Sequence, residues 1–263
     1  VARAKRHYIA GQVWHITHRC HKRDFLLRFA RDRRRWLQWL FEAKKRYGLA
    51  ILNYVVTSNH IHLLVVDDGN RDTIPKSIQL VAGRTAQEYN ERKGRKGAYW
   101  EDRYHATAIE TGEHLLRCLV YIDLNMVRAG VVDHPSNWEF GGYKEIQSPR
   151  RKCVLIAYET LAELSGYDDY DSFRQAHKKW VEGSLSDGNN VCDEKWTRSV
   201  AVGSNRFVQK IKEILGWKAR GRRVREVFGG YELRERLEPY IAHFNPKNSD
   251  IGSENTYNWS QIG

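Results

Sequence analysis

Ile51-Leu52-Asn53-Tyr54-Val55-Val56-Thr57-Ser58-Asn59-His60-Ile61-His62-Leu63-Leu64-Val65-Val66 reads as two strands and the turn between them. Ile51 to Val56 and His60 to Val66 are short apolar runs, and Thr57-Ser58-Asn59 has the polar residues of a tight turn, so the stretch is a hairpin. Asp67-Asp68-Gly69-Asn70 ends it. Alternate side chains of a strand share a face, which sends His60 and His62 one way and Ile61, Leu63 and Val65 toward a core. The two imidazoles then stand about 7 Å apart at the backbone, near enough to converge on one divalent cation. Taken alone, the pair is weak evidence, and a solvated or hydrogen-bonded structural pair is the first reading.

Upstream of the hairpin, Val13 to Arg19 alternates as a strand does, and Arg28 to Tyr47 is a charged helix. Its residues Phe29, Trp36, Leu37, Leu40 and Phe41 fall mostly on one face, and Gly48 is a natural stop. Downstream, Thr73 to Arg92 is a helix with Pro75 in its first turn and Ile74, Ile78, Val81 and Ala82 among its apolar positions. Gly94 to Gly97 is a basic loop and Tyr104 to Glu110 a further strand. Thr111 is the expected N-cap of a helix that runs to about Ala129 and stops at Gly130. The order β-α-β-β-α-β-α predicts an α+β fold of the ferredoxin-like kind: an antiparallel sheet with helices on one face.

Beyond Pro149 the character changes. Ala157 to Leu164 and Asp171 to Glu182 read as short helices, and Ser184 to Glu194 as a polar linker. Ser204 caps a helix through Leu215, with Phe207, Val208, Ile211, Ile214 and Leu215 on one face. Lys218-Ala219-Arg220-Gly221-Arg222-Arg223-Val224-Arg225 is read as a basic, glycine-interrupted loop, and Asn245 to Gly263 as a polar, loosely ordered tail.

Composition narrows the partners. The 263 residues carry 44 Lys+Arg against 32 Asp+Glu, a formal net charge of +12. That balance favours polyanions, because neutralising phosphates releases counterions. Nine Trp and fourteen Tyr add surfaces on which unpaired bases can stack. No apolar run approaches the roughly 20 residues of a membrane helix, and no signal-peptide core follows the basic start, so the expected location is the cytoplasm, at the nucleoid, with no membrane partner. Cys20, Cys118, Cys153 and Cys192 are far apart and form no C-x-x-C pair, which argues against a zinc knuckle or a disulfide framework.

The second helix-borne feature is Arg117, Tyr121 and Asn125 at i, i+4 and i+8, with Arg128 next on the same side. Leu116, Leu119, Val120, Leu124 and Val127 take the opposite side. On spacing alone this is a solvent-facing polar stripe. A chemical reading is also open: an amide one turn from a phenol could complete a two-histidine metal site. A tyrosine hydroxyl, with a pKa of about 10, needs help to attack a phosphodiester. A divalent ion on the phosphate and nearby arginines supply it. The resulting ester conserves the bond energy, so no nucleotide cofactor is needed for rejoining; neither a Walker loop nor a nucleotide-binding glycine motif is present.

Gln12-Val13-Trp14-His15-Ile16-Thr17, the stretch Thr57 to Val65, Trp100-Glu101-Asp102-Arg103-Tyr104 and the stretch Tyr121 to Gly130 together resemble the HUH single-tyrosine transposases. More closely, they are similar to the REP-associated tyrosine transposases. The resemblance spans about residues 1–145 and implies a catalytic domain over residues 1–149, followed by a mainly helical, basic extension over 150–263. It implies that His60 and His62 are the paired metal ligands, that Asn125 completes the site around Mg²⁺ or Mn²⁺, and that Tyr121 is the nucleophile. The product would be a covalent 5′-phosphotyrosine on single-stranded DNA folded into an imperfect, REP-like hairpin. Met126 stands where the family commonly has proline, which implies an altered helix path. Exchange of two DNA ends needs two tyrosines, from a homodimer or used in sequence.

Other residues compete for these roles. Tyr104 is a rival nucleophile that lacks the motif match. His15 sits on a neighbouring strand and could approach the metal site, with a packed strand histidine as the first reading, and His105 is left without a role. Arg103, Arg117, Arg128, Arg220, Arg222, Arg223 and Arg225 are the expected DNA contacts, with Trp100 as contact or scaffold. The run Arg31, Arg33, Arg34, Arg35 is read as a solvated face that could track phosphates. A hairpin-binding regulatory protein without chemistry is the alternative function, and the intact His60, His62, Tyr121 and Asn125 speak against it. An RNA-binding ferredoxin-like module lacks its aromatic strand signature, and a zinc hydrolase its H-E-x-x-H.

Overall fold

The computed structural model describes residues 8–187 and 193–235. The expected polar tail, and residues 188–192 of the expected linker, lie outside them. Among the described residues seven strands form one sheet in the order β2-β3-β1-β4-β5-β7-β6. They are β1 (Val13–Arg19), β2 (Ala50–Val56), β3 (His60–Val66), β4 (His105–Ile109), β5 (Ala201–Gly203), β6 (Arg222–Val227) and β7 (Gly230–Glu235). The helices are α1 (Ala30–Tyr47), α2 (Thr73–Arg92), α3 (Glu113–Asp123), α4 (Asn125–Arg128), α5 (Tyr143–Gln147), α6 (Tyr158–Leu164), α7 (Tyr170–Ser186), α8 (Lys195–Arg198) and α9 (Asn205–Leu215).

The first four strands form the antiparallel ferredoxin-like core. β1 pairs with β3 and β4, and β2 with β3. Trp14, Ile16 and His18 pair with Val65, Leu63 and Ile61, so these side chains share one face. That face packs under α1 and α2: His18 stacks on Trp100, whose indole N–H donates to Ala82 O of α2 at 3.0 Å. Trp36, Leu40, Ile78 and Val81 complete the core there. α1 ends on Gly48 in the left-handed region, φ 70°. The arginine run is not uniformly solvated: Arg33 is buried between the rings of Trp138 and Phe140 and donates to Leu27 O and Arg28 O.

The opposite face is also covered, which widens the expected one-sided arrangement. It carries His15, Thr17, His62 and Thr107, polar groups that need partners if buried. α3 lies against β2 and β4, α8 against β1 and β4, and α7 on α3. A bulge in β2 helps here. Ile51 pairs with Val65 but Asn53 pairs with Leu64, so the extra residue, Leu52, turns Asn53 onto the histidine face. Asn53 Nδ2 then donates to Asp123 of α3 at 2.9 Å. Gly142 leaves room for this amide, since a Cβ there would lie 2.2 Å from Asn53 Oδ1.

The C-terminal extension holds the expected helices, with α7 capped by Asp169 and α9 by Ser204. It also adds strands to the sheet. β5 runs parallel to β4, β7 pairs with β5, and β6 forms a hairpin with β7. The basic stretch read as a loop is therefore mostly strand: Arg222, Arg223 and Arg225 lie in β6, with backbone bonds satisfied by β7. Two boundaries also move. α3 starts after Gly112, whose φ of 73° suits glycine, and Thr111 is not its cap. The long helix expected to Ala129 bends at Leu124 (φ −78°, ψ 3°), which divides α3 from α4. Among the described residues no helix is long and apolar enough to cross a membrane.

Candidate active site

The turn between β2 and β3 shapes the first histidine. Thr57 Oγ1 donates to His60 O at 2.8 Å and accepts from the backbone N–H groups of Asn59 and His60. With its one proton spent, Thr57 Oγ1 can only accept from His60 Nδ1, 3.0 Å away. Asn59 Oδ1 accepts from the same nitrogen at 2.7 Å, and its orientation is set by Asn59 Nδ2 donating to Arg23 O. His60 Nδ1 therefore holds the proton and Nε2 keeps its lone pair. That is the form in which an imidazole binds a cation.

His62 lies two residues further on the same face, its ring centroid 5.0 Å from that of His60. It is buried between β1 and α3. On one side His62 Nδ1 is 2.9 Å from His15 Nε2, and on the other His62 Nε2 is 3.1 Å from Asn125 Nδ2. Burial holds the pKa of all three histidines down. His60 falls to about 4, with Arg19 adding to the effect. His62 falls well below 6.5, with His60, His15 and Arg128 adding. His15 falls to about 3, the bond to Trp196 O opposing the shift. All three rings are neutral at neutral pH.

Tyr121 faces this pair from α3. Its ring centroid lies 5.8 Å from that of His62, 6.1 Å from His15 and 6.0 Å from Trp196. The side chain is 7 % exposed, so the expected solvent-facing stripe is in fact tucked against the sheet. The bend at Leu124 carries Asn125 onto His62 while Arg128 folds back over Tyr121. Asp123, between them, accepts from Asn53 and from His177 Nε2 at 2.8 Å, tying this turn to β2 and α7.

The residues present fit a divalent cation. His60 offers an imidazole nitrogen with a free lone pair, His62 a second toward the same region, and Asn125 a carboxamide whose oxygen is a hard donor. Among the described residues no cluster of three His, Cys, Asp or Glu could hold an ion, so a cation here would need a third donor of another kind, such as the Asn125 amide.

The remaining candidates separate. Tyr104 is buried beside His18, 6.5 Å between centroids, on the sheet face away from His62. Trp100 is scaffold, and Arg103 is exposed in the bend before β4. Arg117 pairs with Glu113, and Gly229 of the β6–β7 turn abuts it: a Cβ there would lie 1.7 Å from Arg117 Nη1. Arg220 and Arg223 are exposed, Arg222 donates to Lys218 O, and Arg225 is half-buried opposite Glu232. The residue that sequence reasoning undervalued is His15. The signal available was its place on the strand beside β3.

Residues 9–125 match the family model described as transposase, IS200 like. Two solved structures align with lower similarity. One is a REP-associated tyrosine transposase bound to a REP hairpin, 21% identical, covering 57% of this chain and 87% of that one, TM-score 0.46. The other is a candidate transposase from Deinococcus radiodurans, 17% identical, covering 43% of this chain and 88% of that one, TM-score 0.32. None of the curated proteins matches. The segment that brings His60, His62, Tyr121 and Asn125 together, residues 9–125, is therefore similar to the IS200-like transposases.

Proposed function

We propose that this protein cuts and rejoins single-stranded DNA at the foot of a REP-like hairpin, with Tyr121 as nucleophile, as the REP-associated branch is expected to do. The observation that carries this reading is the seating of the Tyr121 ring 5.8 Å from the His62 ring, with Asn125 on the far nitrogen of the same histidine.

In the proposed reaction the Tyr121 Oη attacks a backbone phosphorus in line with the leaving 3′ oxygen. The Oη–P bond forms and the P–O3′ bond breaks; the phenol proton goes to solvent, and the leaving oxygen takes a proton to become a 3′ hydroxyl. A 3′ hydroxyl attacking the phosphotyrosine reverses these changes and seals a strand without ATP. Mg²⁺ or Mn²⁺ held by His60, His62 and Asn125 would polarise the phosphate and stabilise the charge of the transition state. His60 and His62 contribute by staying neutral, so they do not repel a cation. Arg128 orients the Tyr121 ring and adds positive charge beside it. Exposed Arg103, Arg220 and Arg223 are proposed contacts to phosphates away from the scissile one.

The test is a denaturing gel. Labelled single-stranded palindromic oligonucleotides from the protein's own genomic neighbourhood are mixed with it and Mn²⁺ or Mg²⁺, with Tyr121→Phe alongside. A covalent protein–DNA band that needs both metal and Tyr121 is the expected result. Binding without an adduct across several hairpins and both metals would replace this reading with the hairpin-binding regulator.

A further inference from the structure

His15 is fully buried, and both of its ring nitrogens are engaged. Nδ1 lies 2.8 Å from the backbone oxygen of Trp196 in α8, and Nε2 lies 2.9 Å from Nδ1 of His62. The ring planes are 14° apart with centroids 5.0 Å apart, the near-coplanar, edge-to-edge arrangement that an in-plane N–H···N bond between the two rings requires.

The proton positions along this row follow from one fact: a carbonyl oxygen can only accept. His15 Nδ1 must therefore donate to Trp196 O. A neutral imidazole has a single N–H, which leaves His15 Nε2 with a lone pair. Its neighbour across 2.9 Å must then be the donor, so His62 holds its proton on Nδ1. His62 Nε2 is left with a lone pair, aimed at the Asn125 amide, whose N–H it accepts at 3.1 Å. A free imidazole in water prefers the other tautomer, with the proton on Nε2. The row reverses that preference at the nitrogen where a cation would sit.

We propose that His15, anchored by the Trp196 carbonyl, is a positioning residue that locks His62 in its metal-binding tautomer, and that the C-terminal extension thereby builds part of the active site. The extension's role is then specific. α8 packs on β1 and β4, Thr107 Oγ1 lies within hydrogen-bonding distance of both Trp196 O and Ser199 O, and the Trp196 ring flanks Tyr121. The IS200-like segment ends at residue 125 and so contains His15 and His62 but not the carbonyl that orients them. Outer partners of this kind commonly alter metal affinity by about 10- to 100-fold when removed. The metal part of the proposal rests on the proposed function; the tautomer part stands on the hydrogen-bond row alone.

The experiment uses the full-length protein with ¹⁵N-labelled histidine and no metal. Long-range ¹H–¹⁵N correlation spectra read the tautomer of each ring, with His62→Gln identifying the His62 signals. The expected wild-type result is His62 protonated on Nδ1. In His15→Phe, which keeps the bulk but removes the acceptor, His62 should shift to the Nε2–H form. Mn²⁺ affinity, read from the free-ion paramagnetic resonance signal, should fall about tenfold or more. His15→Gln can donate to Trp196 O through its amide nitrogen and accept from His62 through its oxygen, so it should restore both readouts. His62 protonated on Nε2 in the wild type would overturn the proposal, as would a His15→Phe protein with unchanged tautomer. Wild-type protein with the expected tautomer but no Mn²⁺ binding would instead overturn the metal reading of the proposed function and leave the tautomer lock standing.

Discussion

The Arg128 guanidinium lies over the face of the Tyr121 ring, 4.2 Å from its centroid, and donates to the Tyr121 backbone oxygen. This one side chain thus holds the proposed nucleophile from above while the bend at Leu124 brings both onto the same side. Arg128 is also one of the expected DNA contacts, and this contact sets its guanidinium beside the proposed nucleophile. A partly desolvated cation–π contact contributes about 1–2 kcal/mol. Arg128→Gln should therefore slow covalent adduct formation about tenfold, with hairpin affinity changed far less. Single-turnover gels and a binding titration check this. An unchanged adduct rate would mean that the stacking is packing only.

Asp123 accepts from Asn53 of β2 and His177 of α7, both buried, and His177 is bonded in turn to Gln147 of α5. Asp123→Ala leaves two buried donors without an acceptor. The expected loss is about 2–4 kcal/mol of unfolding free energy, read by urea titration. Because Asp123 sits between Tyr121 and Asn125, adduct formation at saturating folded protein should also drop. A stability loss within experimental error would show that water replaces the carboxylate at no cost.

The basic strand can be tested by salt. Arg220 and Arg223 are exposed, whereas Arg222 is tied to Lys218 O. If the exposed pair meets phosphates, Arg220→Gln with Arg223→Gln weakens binding to single-stranded hairpins of any sequence. It also lowers the slope of log affinity against log salt by about 0.7 per lost contact. Filter binding over a range of salt concentrations reads both. Weaker binding with an unchanged slope would point to a disturbed hairpin, and no change at all to a solvated face.

Much of the fold was legible because local pattern and long-range pairing agree there. β1, β3 and α2 lie where alternation, helical periodicity and stop signals put them. The joining strands were not. β5 has only three residues, too few for a period to show, and exists because Ala108 and Ile109 offer a free edge. β6 hides behind its arginines, since charge reads as loop until β7 is known to pair with it. The single extra residue at Leu52 cannot be seen in a run of apolar residues, yet it decides that Asn53 reaches Asp123. At the site, His60, His62, Tyr121 and Asn125 were named from motif and resemblance. The bond from His15 to Trp196 was out of reach, because it depends on the path of the chain through α6 and α7.

Alkali should unfold the protein in a defined window. Burial pushes the Cys20 thiol from about 9 up to about 12 and the Tyr143 hydroxyl from 10 to about 12, the latter helped by Asp123 and Glu182. Tyr54, Tyr99 and Tyr170 are raised in the same direction, again chiefly by burial. These groups are neutral in the folded state. Between their unfolded and folded pKa values the unfolded chain has released protons that the folded chain still holds. The slope of stability against pH is then negative. From neutral pH upward stability should be level until the unfolded thiols and phenols begin to ionise near pH 9, fall from there, and continue to fall toward pH 12. The check is a urea midpoint measured at each pH beside the tyrosinate absorbance. Most of the absorbance should appear with unfolding, and tyrosinate from these buried rings at pH 10 in a protein with its folded urea midpoint would contradict the burial argument.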